Sequence, residues 1–451
     1  MSQRITLKKG FDINLIGEVR SDLVNNLQSS SFALKPSDFF GIKRPKLLVR
    51  PGDEVMAGSP ILFDKFCESI MYTSPVSGEI TDIIRGEKRK LEEIRILPDK
   101  KNKYLEFEKF SDGEIDKITK EKISVILQKS GAWVNIIERP YGLVANPKSV
   151  PKSIFISFFD THPLATSYKD LLKGNEQHIQ LGIRVLKKFT DGDIYLNVDE
   201  EINEYCDFQH VQKNIFSGPH PSGNVGVQIH HIDPINKGDV VWTINPYGLS
   251  QIGKLFLTGK YDASKVISLV GSEVINPGFY RTYIGTSMRE LLKDNLKNEN
   301  SRIISGNVLT GTSISSKGYL GYYDNMITVI PEGNHYDFLG WIKPVVNKLS
   351  FHRAFGLLSF INRNKKYVLD SNKNGELRAF VQTGVFEKVL PMDILPTYLF
   401  KAILAQDYEE MEELGIYELL EEDIALCEFI DVSKNDLQKL LRKGLNLLME
   451  G

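Results

Sequence analysis

The stretch Arg50-Pro51-Gly52-Asp53-Glu54-Val55-Met56-Ala57-Gly58-Ser59-Pro60-Ile61-Leu62-Phe63 sets the first architecture of the chain. Two turn signals, Arg50 to Glu54 and Gly58 to Pro60, flank short apolar segments. Proline presets φ and glycine admits positive φ, so each signal reverses the chain. Working outward, Lys46-Leu47-Leu48-Val49 reads as the strand before the first turn. On the other side, Ser74-Pro75-Val76-Ser77-Gly78 punctuates before the alternating Glu79-Ile80-Thr81-Asp82-Ile83-Ile84. Short strands with regular turn signals predict a small barrel or sandwich over residues 1–111.

Residues 112–255 change period. Glu121 to Ser130 carries Ile123, Ile126 and Leu127 at helical spacing, and Gln177 to Phe189 carries Ile179, Ile183 and Leu186. Between and after them lie the strand runs Ile154 to Phe159, Asp193 to Val198 and Val240 to Ile244. Strand, helix, strand at this spacing predicts a parallel α/β unit. Residues 256–335 form another unit, with a strand at Lys265 to Gly271 and Ser287 capping a helix with Glu290 as its box partner. Residues 336–376 read as a linker and helical segment. Residues 377–451 read as helical, with Asp393 as a cap, Leu395, Leu399, Ala402 and Ile403 on one helix, and Leu437, Leu440 and Leu441 on the last. The expected fold class is a multidomain chain mixing α/β and α+β units.

Composition narrows the function. The chain has 451 residues, 41% of them hydrophobic and 25% charged, enough for several cores without disulfides. Its three cysteines, Cys67, Cys206 and Cys427, are far apart, which excludes a local thiolate cluster. A net charge of -2 supplies no basic field for nucleic acid. No apolar run reaches about 18 residues, so no membrane-spanning helix is expected. The opening Met1 to Lys9 has no apolar signal core, and free cysteines suit a reducing cytoplasm.

Several motifs carry a resemblance. Val49, Gly52, Asp53, Val55, Gly58, Pro60, Ser74, Pro75 and Gly78 resemble the biotinyl and lipoyl carrier hammerhead. A carrier needs a lysine at the hairpin tip. That tip is expected near Cys67-Glu68-Ser69, with Lys65 a few residues early, so no covalent cofactor is expected. The unit at 256–335 resembles the soluble-ligand-binding β-grasp (SLBB) module of respiratory enzymes. The order of hammerhead, Rossmann-like α/β unit, β-grasp and helical tail resembles the flavin and iron–sulfur subunits of complex I and the C subunit of the Rnf complex. Leu7-Lys8-Lys9-Gly10-Phe11-Asp12, Tyr72 to Gly78 with Arg85-Gly86, Phe216-Ser217-Gly218-Pro219-His220-Pro221 and Gly238 to Asn245 resemble the NqrA subunits of the Na+-translocating NADH:quinone reductases (the Nqr complex), over essentially the whole chain.

The resemblance implies a peripheral subunit on the cytoplasmic face of the bacterial inner membrane, in a complex passing electrons from NADH to quinone while moving Na+. It implies FAD, FMN, riboflavin and iron–sulfur centres on other subunits, none on this chain, and contact with the membrane subunit NqrB. A stand-alone flavin oxidoreductase and a ligand-free scaffold are the other readings. Relatives that bind flavin cradle its phosphate on a Gly-rich loop, where this chain has Gly131-Ala132-Trp133 to Gly142. Where relatives carry an acidic stretch it has Asp160-Thr161-His162-Pro163. Two-cluster ferredoxins place cysteines at four positions that here hold Phe380, Thr383, Phe386 and Leu390; a second set falls at Leu419, Glu422, Ala425 and Phe429. The tail therefore resembles a ferredoxin whose clusters are replaced by apolar packing.

The expected contact residues are Trp133, Arg139 and Tyr141, an aromatic and arginine set at the expected mouth of the α/β unit, suited to a quinone ring or a partner subunit. His230-His231 reads as structural, because neighbours on a strand face opposite ways. Ser217 to Asn224 reads as a rigid turn. Asp407 to Asp423 holds nine carboxylates and no Lys or Arg, which reads as a solvated face with docking as the other use.

Overall fold

The structure, a computed structural model, describes residues 2–20, 23–335, 338, 348–352, 365–380 and 384–450. The N-terminal barrel-sandwich has two sheets. Four antiparallel strands run in the order Phe32–Leu34, Leu91–Pro98, Gly78–Arg85, Glu54–Val55, and three in the order Pro45–Leu47, Pro60–Asp64, Cys67–Thr73. Ile61, Leu62, Ile80, Ile94 and Ile96 fill the space between them. The hairpin tip differs from expectation. Asp64 pairs with Cys67, so the turn is Lys65-Phe66, and the exposed Lys65 stands at the tip itself. The Asp64 carboxylate shortens the hairpin by accepting from the backbone N–H groups of Lys43, Arg44 and Phe66.

The α/β unit is a seven-stranded sheet in the order Arg4–Thr6, Gln212–Ser217, Ile194–Val198, Ser153–Ser157, Val241–Thr243, Ile137–Arg139, Leu143–Val144. The first five strands are parallel and the last two antiparallel. Helices Glu176–Leu186 and Pro246–Thr258 pack on each other, and close approach needs glycine: a Cβ on Gly253 would lie 1.8 Å from the His178 carbonyl. The six-stranded sheet of the third unit runs Thr312–Ile314, Ser301–Ser305, Met326–Pro331, Ser264–Val270, Gly278–Tyr283, Val24–Asn26.

The first residues do not stay with the barrel. Arg4–Thr6 joins the α/β sheet and Val24–Asn26 joins the third unit's sheet, so the N-terminal segment ties three units together. The expected linker and helical segment at 336–376 lies largely outside the described residues. Within 365–376 there is no helix, and Tyr367 makes a bridge to Leu15. The tail holds helices Pro396–Ala405, Tyr408–Glu413, Glu421–Ile430 and Leu437–Glu450. Leu395, not Asp393, is the first cap, with Pro396 tolerated where no N–H partner is needed. Phe380 stacks on Phe400 at 6.0 Å and Phe386 meets it edge-on at 6.1 Å, while Leu390 is fully buried nearby. Thr383 lies outside the described residues. No helix among the described residues is long and apolar enough to cross a membrane.

Candidate functional site

Ligands of open α/β sheets bind outside the carboxyl ends of the strands. At that edge, two loops leave the strands on either side of Ile194–Val198. Ser153–Ser157 runs into Asp160-Thr161-His162, and Gln212–Ser217 runs into Gly218 to Asn224 before the helix Val225–Ile232. Gly218 has φ +142, and a Cβ there would lie 2.5 Å from the Leu7 carbonyl, so only glycine lets the N-terminal strand pass. Thr161 Oγ1 locks the loops together: it accepts from the Gly223 N–H at 3.0 Å and pairs with His220 Nδ1 at 3.1 Å.

Between these loops, residues 306–310 and 323–326 of the third unit, and the helix Glu421–Ile430, lies a cavity of about 160 Å³. Asp160, His162, Tyr168, His220, Asn307 and Glu422 are among its walls. His220 is 3% exposed and its Nε2 has no partner among the described residues. Burial, and then the charge of His162, push its pKa down to about 4, so the ring is neutral at pH 7. Burial opposes charge on His162 too, but Asp160 at 3.3 Å overrides it and raises that imidazole. Burial raises the Glu422 carboxyl, and the neighbouring Asp423 raises it further. The cavity therefore offers one neutral imidazole nitrogen on His220, a His162–Asp160 pair and further carboxyl groups. A carbonyl or hydroxyl oxygen suits His220. The Asp160 and Asp324 carboxylates disfavour a phosphate.

The expected contact residues lie elsewhere. Trp133 is fully buried, its indole N–H donating to the Ala145 carbonyl at 2.7 Å, with its ring edge-on to Phe189 and Trp242. It sits under the antiparallel edge of the sheet, not at the mouth. Arg139 is 1% exposed; its guanidinium donates to Asp423 at 3.1 Å, Glu422 at 2.6 Å and the Glu418 carbonyl at 3.4 Å. Tyr141 remains partly exposed and meets Tyr417 edge-on at 6.3 Å, while its carbonyl accepts from Arg442. Trp133 and Arg139 thus serve the interior, and Arg139 with Tyr141 clamps the tail.

Other signals resolve in the same clamp. His230 and His231 lie on the helix Val225–Ile232, not on a strand. His230 Nδ1 donates to Glu418 at 2.7 Å, because its Nε2 accepts from the Asp393 N–H; His231 Nε2 donates to the Pro391 carbonyl at 2.8 Å. Arg442 forks onto Glu421. No group of three or more His, Cys, Asp or Glu among the described residues is placed to hold a metal ion. Reading the sequence missed His220, His162 and Glu422 as cavity walls. Their position just past strand ends was the available signal for the two histidines; Glu422 had none.

Comparison with known proteins decides the family. Three family models match in order: the NqrA N-terminal barrel-sandwich hybrid domain at residues 5–120, the NqrA second alpha/beta domain at 118–261 and the NQRA C-terminal domain at 266–316. The NqrA subunit of the Na+-translocating NADH-quinone reductase of Tolumonas auensis is 35% identical over 449 residues, covering 99% of this chain and 100% of its own. The chain belongs to the NqrA family of Na+-translocating NADH-quinone reductase subunits. The NqrA proteins of Histophilus somni strain 2336 and Rhodopirellula baltica are 36% and 35% identical, each with 98% of its own length covered. The chain is thus an NqrA of mixed α/β multidomain build, with a barrel-sandwich at its start and an α/β unit after it.

Proposed function

We propose that this chain is the peripheral, redox-centre-free NqrA component of a Na+-pumping NADH:quinone oxidoreductase, held on the cytoplasmic face of the bacterial inner membrane. The observation that carries this reading is full-length similarity to relatives named for that enzyme, with all three family domains in order. Electrons then pass through flavin and iron–sulfur centres on other subunits, NqrB being the membrane neighbour. We read the parallel sheet as Rossmann-like, the six-stranded sheet as a β-grasp of the SLBB kind, and the tail as a ferredoxin-like domain without clusters. The convergence of Phe380, Phe386 and Leu390 around Phe400 supports the last, since none of these side chains ligates iron.

Within that role the cavity, rather than the loop from Trp133 to Tyr141, is our proposed contact for a quinone head. A quinone carbonyl is an uncharged acceptor, and the neutral His220 ring, in the tautomer with its proton on Nε2, donates to it. The loop contributes by holding the tail that closes the cavity: Arg139 grips Glu422. In the assembled complex, His220→Gln should raise the KM for quinone while NADH oxidation by an artificial acceptor persists. Unchanged quinone kinetics would remove the cavity from the reaction. The absorbance spectrum of the pure chain separates a stand-alone flavoprotein from this reading. Lys65 at the hairpin tip removes the ground on which no covalent cofactor is expected, so intact mass is the direct check: the bare-chain mass excludes one, and an added lipoyl or biotinyl mass establishes it.

A further inference from the structure

We propose that the outer face of the helices Pro396–Ala405 and Tyr408–Glu413 is the docking surface for another protein of the complex, one that presents an apolar anchor flanked by basic side chains. This rests on the reading of the chain as NqrA above and names the surface and the chemistry of its partner. The first observation is a concentration of exposed apolar side chains. Leu395, Tyr398, Leu404 and Tyr408 are 51%, 50%, 54% and 43% exposed. They are four of the eighteen large apolar residues exposed among the described residues, and they fall within fourteen consecutive positions. Tyr398, Lys401 and Leu404 follow each other at three-residue spacing, so they form one stripe on the helix surface. The opposite side of the same helix, Leu399, Phe400 and Ile403, is fully buried in the tail core. The stripe is therefore surplus to folding, and a concentration of exposed apolar side chains is the kind of surface that partners cover.

The second observation is charge. Asp407, Glu409, Glu410 and Glu413 are exposed around this stripe, and among the described residues none has a cationic partner. Lys401 is the one cation from 395 to 414, and it lies 5.9 Å over the Tyr398 ring. An apolar centre with an acidic rim matches a partner with apolar anchors and Lys or Arg around them. It opposes direct contact with a bilayer, whose cytoplasmic leaflet is anionic. Both features lie on the tail, the unit that the buried Arg139 clamp fixes against the α/β sheet, so a partner gripping the tail grips the whole chain.

The test uses full-length chain added back to washed membranes that carry the remaining subunits. Tyr398→Asp with Leu404→Asp should lower co-sedimentation at least tenfold with an unchanged melting temperature, because both sites are already exposed. Glu409→Lys with Glu410→Lys and Glu413→Lys should lower it severalfold, and wild-type binding should weaken with salt. Wild-type-like binding by both variants would overturn the surface. Binding to protein-free phosphatidylglycerol and phosphatidylethanolamine vesicles, lost in the variants, would overturn the protein partner in favour of the membrane. Should the aspartate variant melt early, a photo-crosslinker on Tyr398→Cys decides: an adduct with another protein of the complex supports the surface, and its absence overturns it. Failure of the wild-type chain to bind those membranes would overturn the proposed role as a peripheral component of the complex, which separates the two failures.

Discussion

The stretch Asp407 to Asp423 divides into two halves with opposite fates. In the second half, Glu418 meets His230, Glu421 meets Arg442, and Glu422 and Asp423 meet Arg139. In the first half, Asp407, Glu409, Glu410 and Glu413 stay exposed without a cationic partner among the described residues. One run of like charge thus holds a latch and a free surface. The difference lies in what each half packs against. Helix Glu421–Ile430 is driven inward by Ile424, Ala425, Leu426 and Cys427, and the carboxylates of its first turn meet Arg139 and Arg442. Helix Tyr408–Glu413 buries only Met411; Glu412 pairs with Lys237 and accepts from the Tyr417 hydroxyl, and the helix's other carboxylates stay in water.

The strongest way to break this comparison is to remove the buried cation. Arg139→Met leaves Glu422 and Asp423 facing each other, and we expect a loss of about 3–5 kcal/mol in urea unfolding. Adding Asp423→Leu should recover part of it; no loss in the single variant would deny the latch. Phe386→Ala tests the core beneath the tail and should cost roughly 3–4 kcal/mol by the same measurement, since Phe386 is nearly buried against Phe400.

His220 sharpens the comparison at the cavity the latch closes. In the unfolded chain its imidazole protonates near 6.5; folded, near 4. Its stabilising contribution is complete above pH 6.5 and is lost as pH falls through 4, a swing of about 3 kcal/mol. Stability measured at pH 7 and pH 4 should therefore differ less in His220→Gln than in wild type, by about that amount. Equal pH dependence would mean that the ring is hydrated. The smallest effect belongs to the outer half: Glu409→Gln, Glu410→Gln and Glu413→Gln should each change stability by less than about 0.5 kcal/mol. A larger loss would place these carboxylates in the fold.

Much of the fold was legible because it rests on local period. The strands around Ile61, Ile80, Ile154 and Ile194 and the helices at 120–130 and 176–186 follow from alternation and helical spacing. What depended on distant pairing was not. Nothing local in Arg4–Thr6 says that it joins a strand at Gln212–Ser217, and nothing in Asp64 says that it will cap a turn that moves the hairpin tip to Lys65. His230-His231 was misread as a strand because its helix spans only Val225–Ile232. Two of the three candidate contact residues turn inward for a similar reason, while Tyr141 stays partly exposed. Trp133 and Arg139 have the chemistry of a ligand site, but their partners Ala145, Trp242 and Asp423 turn that chemistry inward, the last from 284 residues away.

Amide hydrogen exchange across residues 395–430, compared between the free chain and the assembled complex, tests the two halves most directly. Helix Glu421–Ile430 should be protected in both states, because Arg139 already holds it. Residues 395–413 should gain protection on assembly, most of all the short, largely exposed helix Tyr408–Glu413. Protection gained only at 418–430, or nowhere in the tail, would contradict the assignment of an inner latch and an outer docking face.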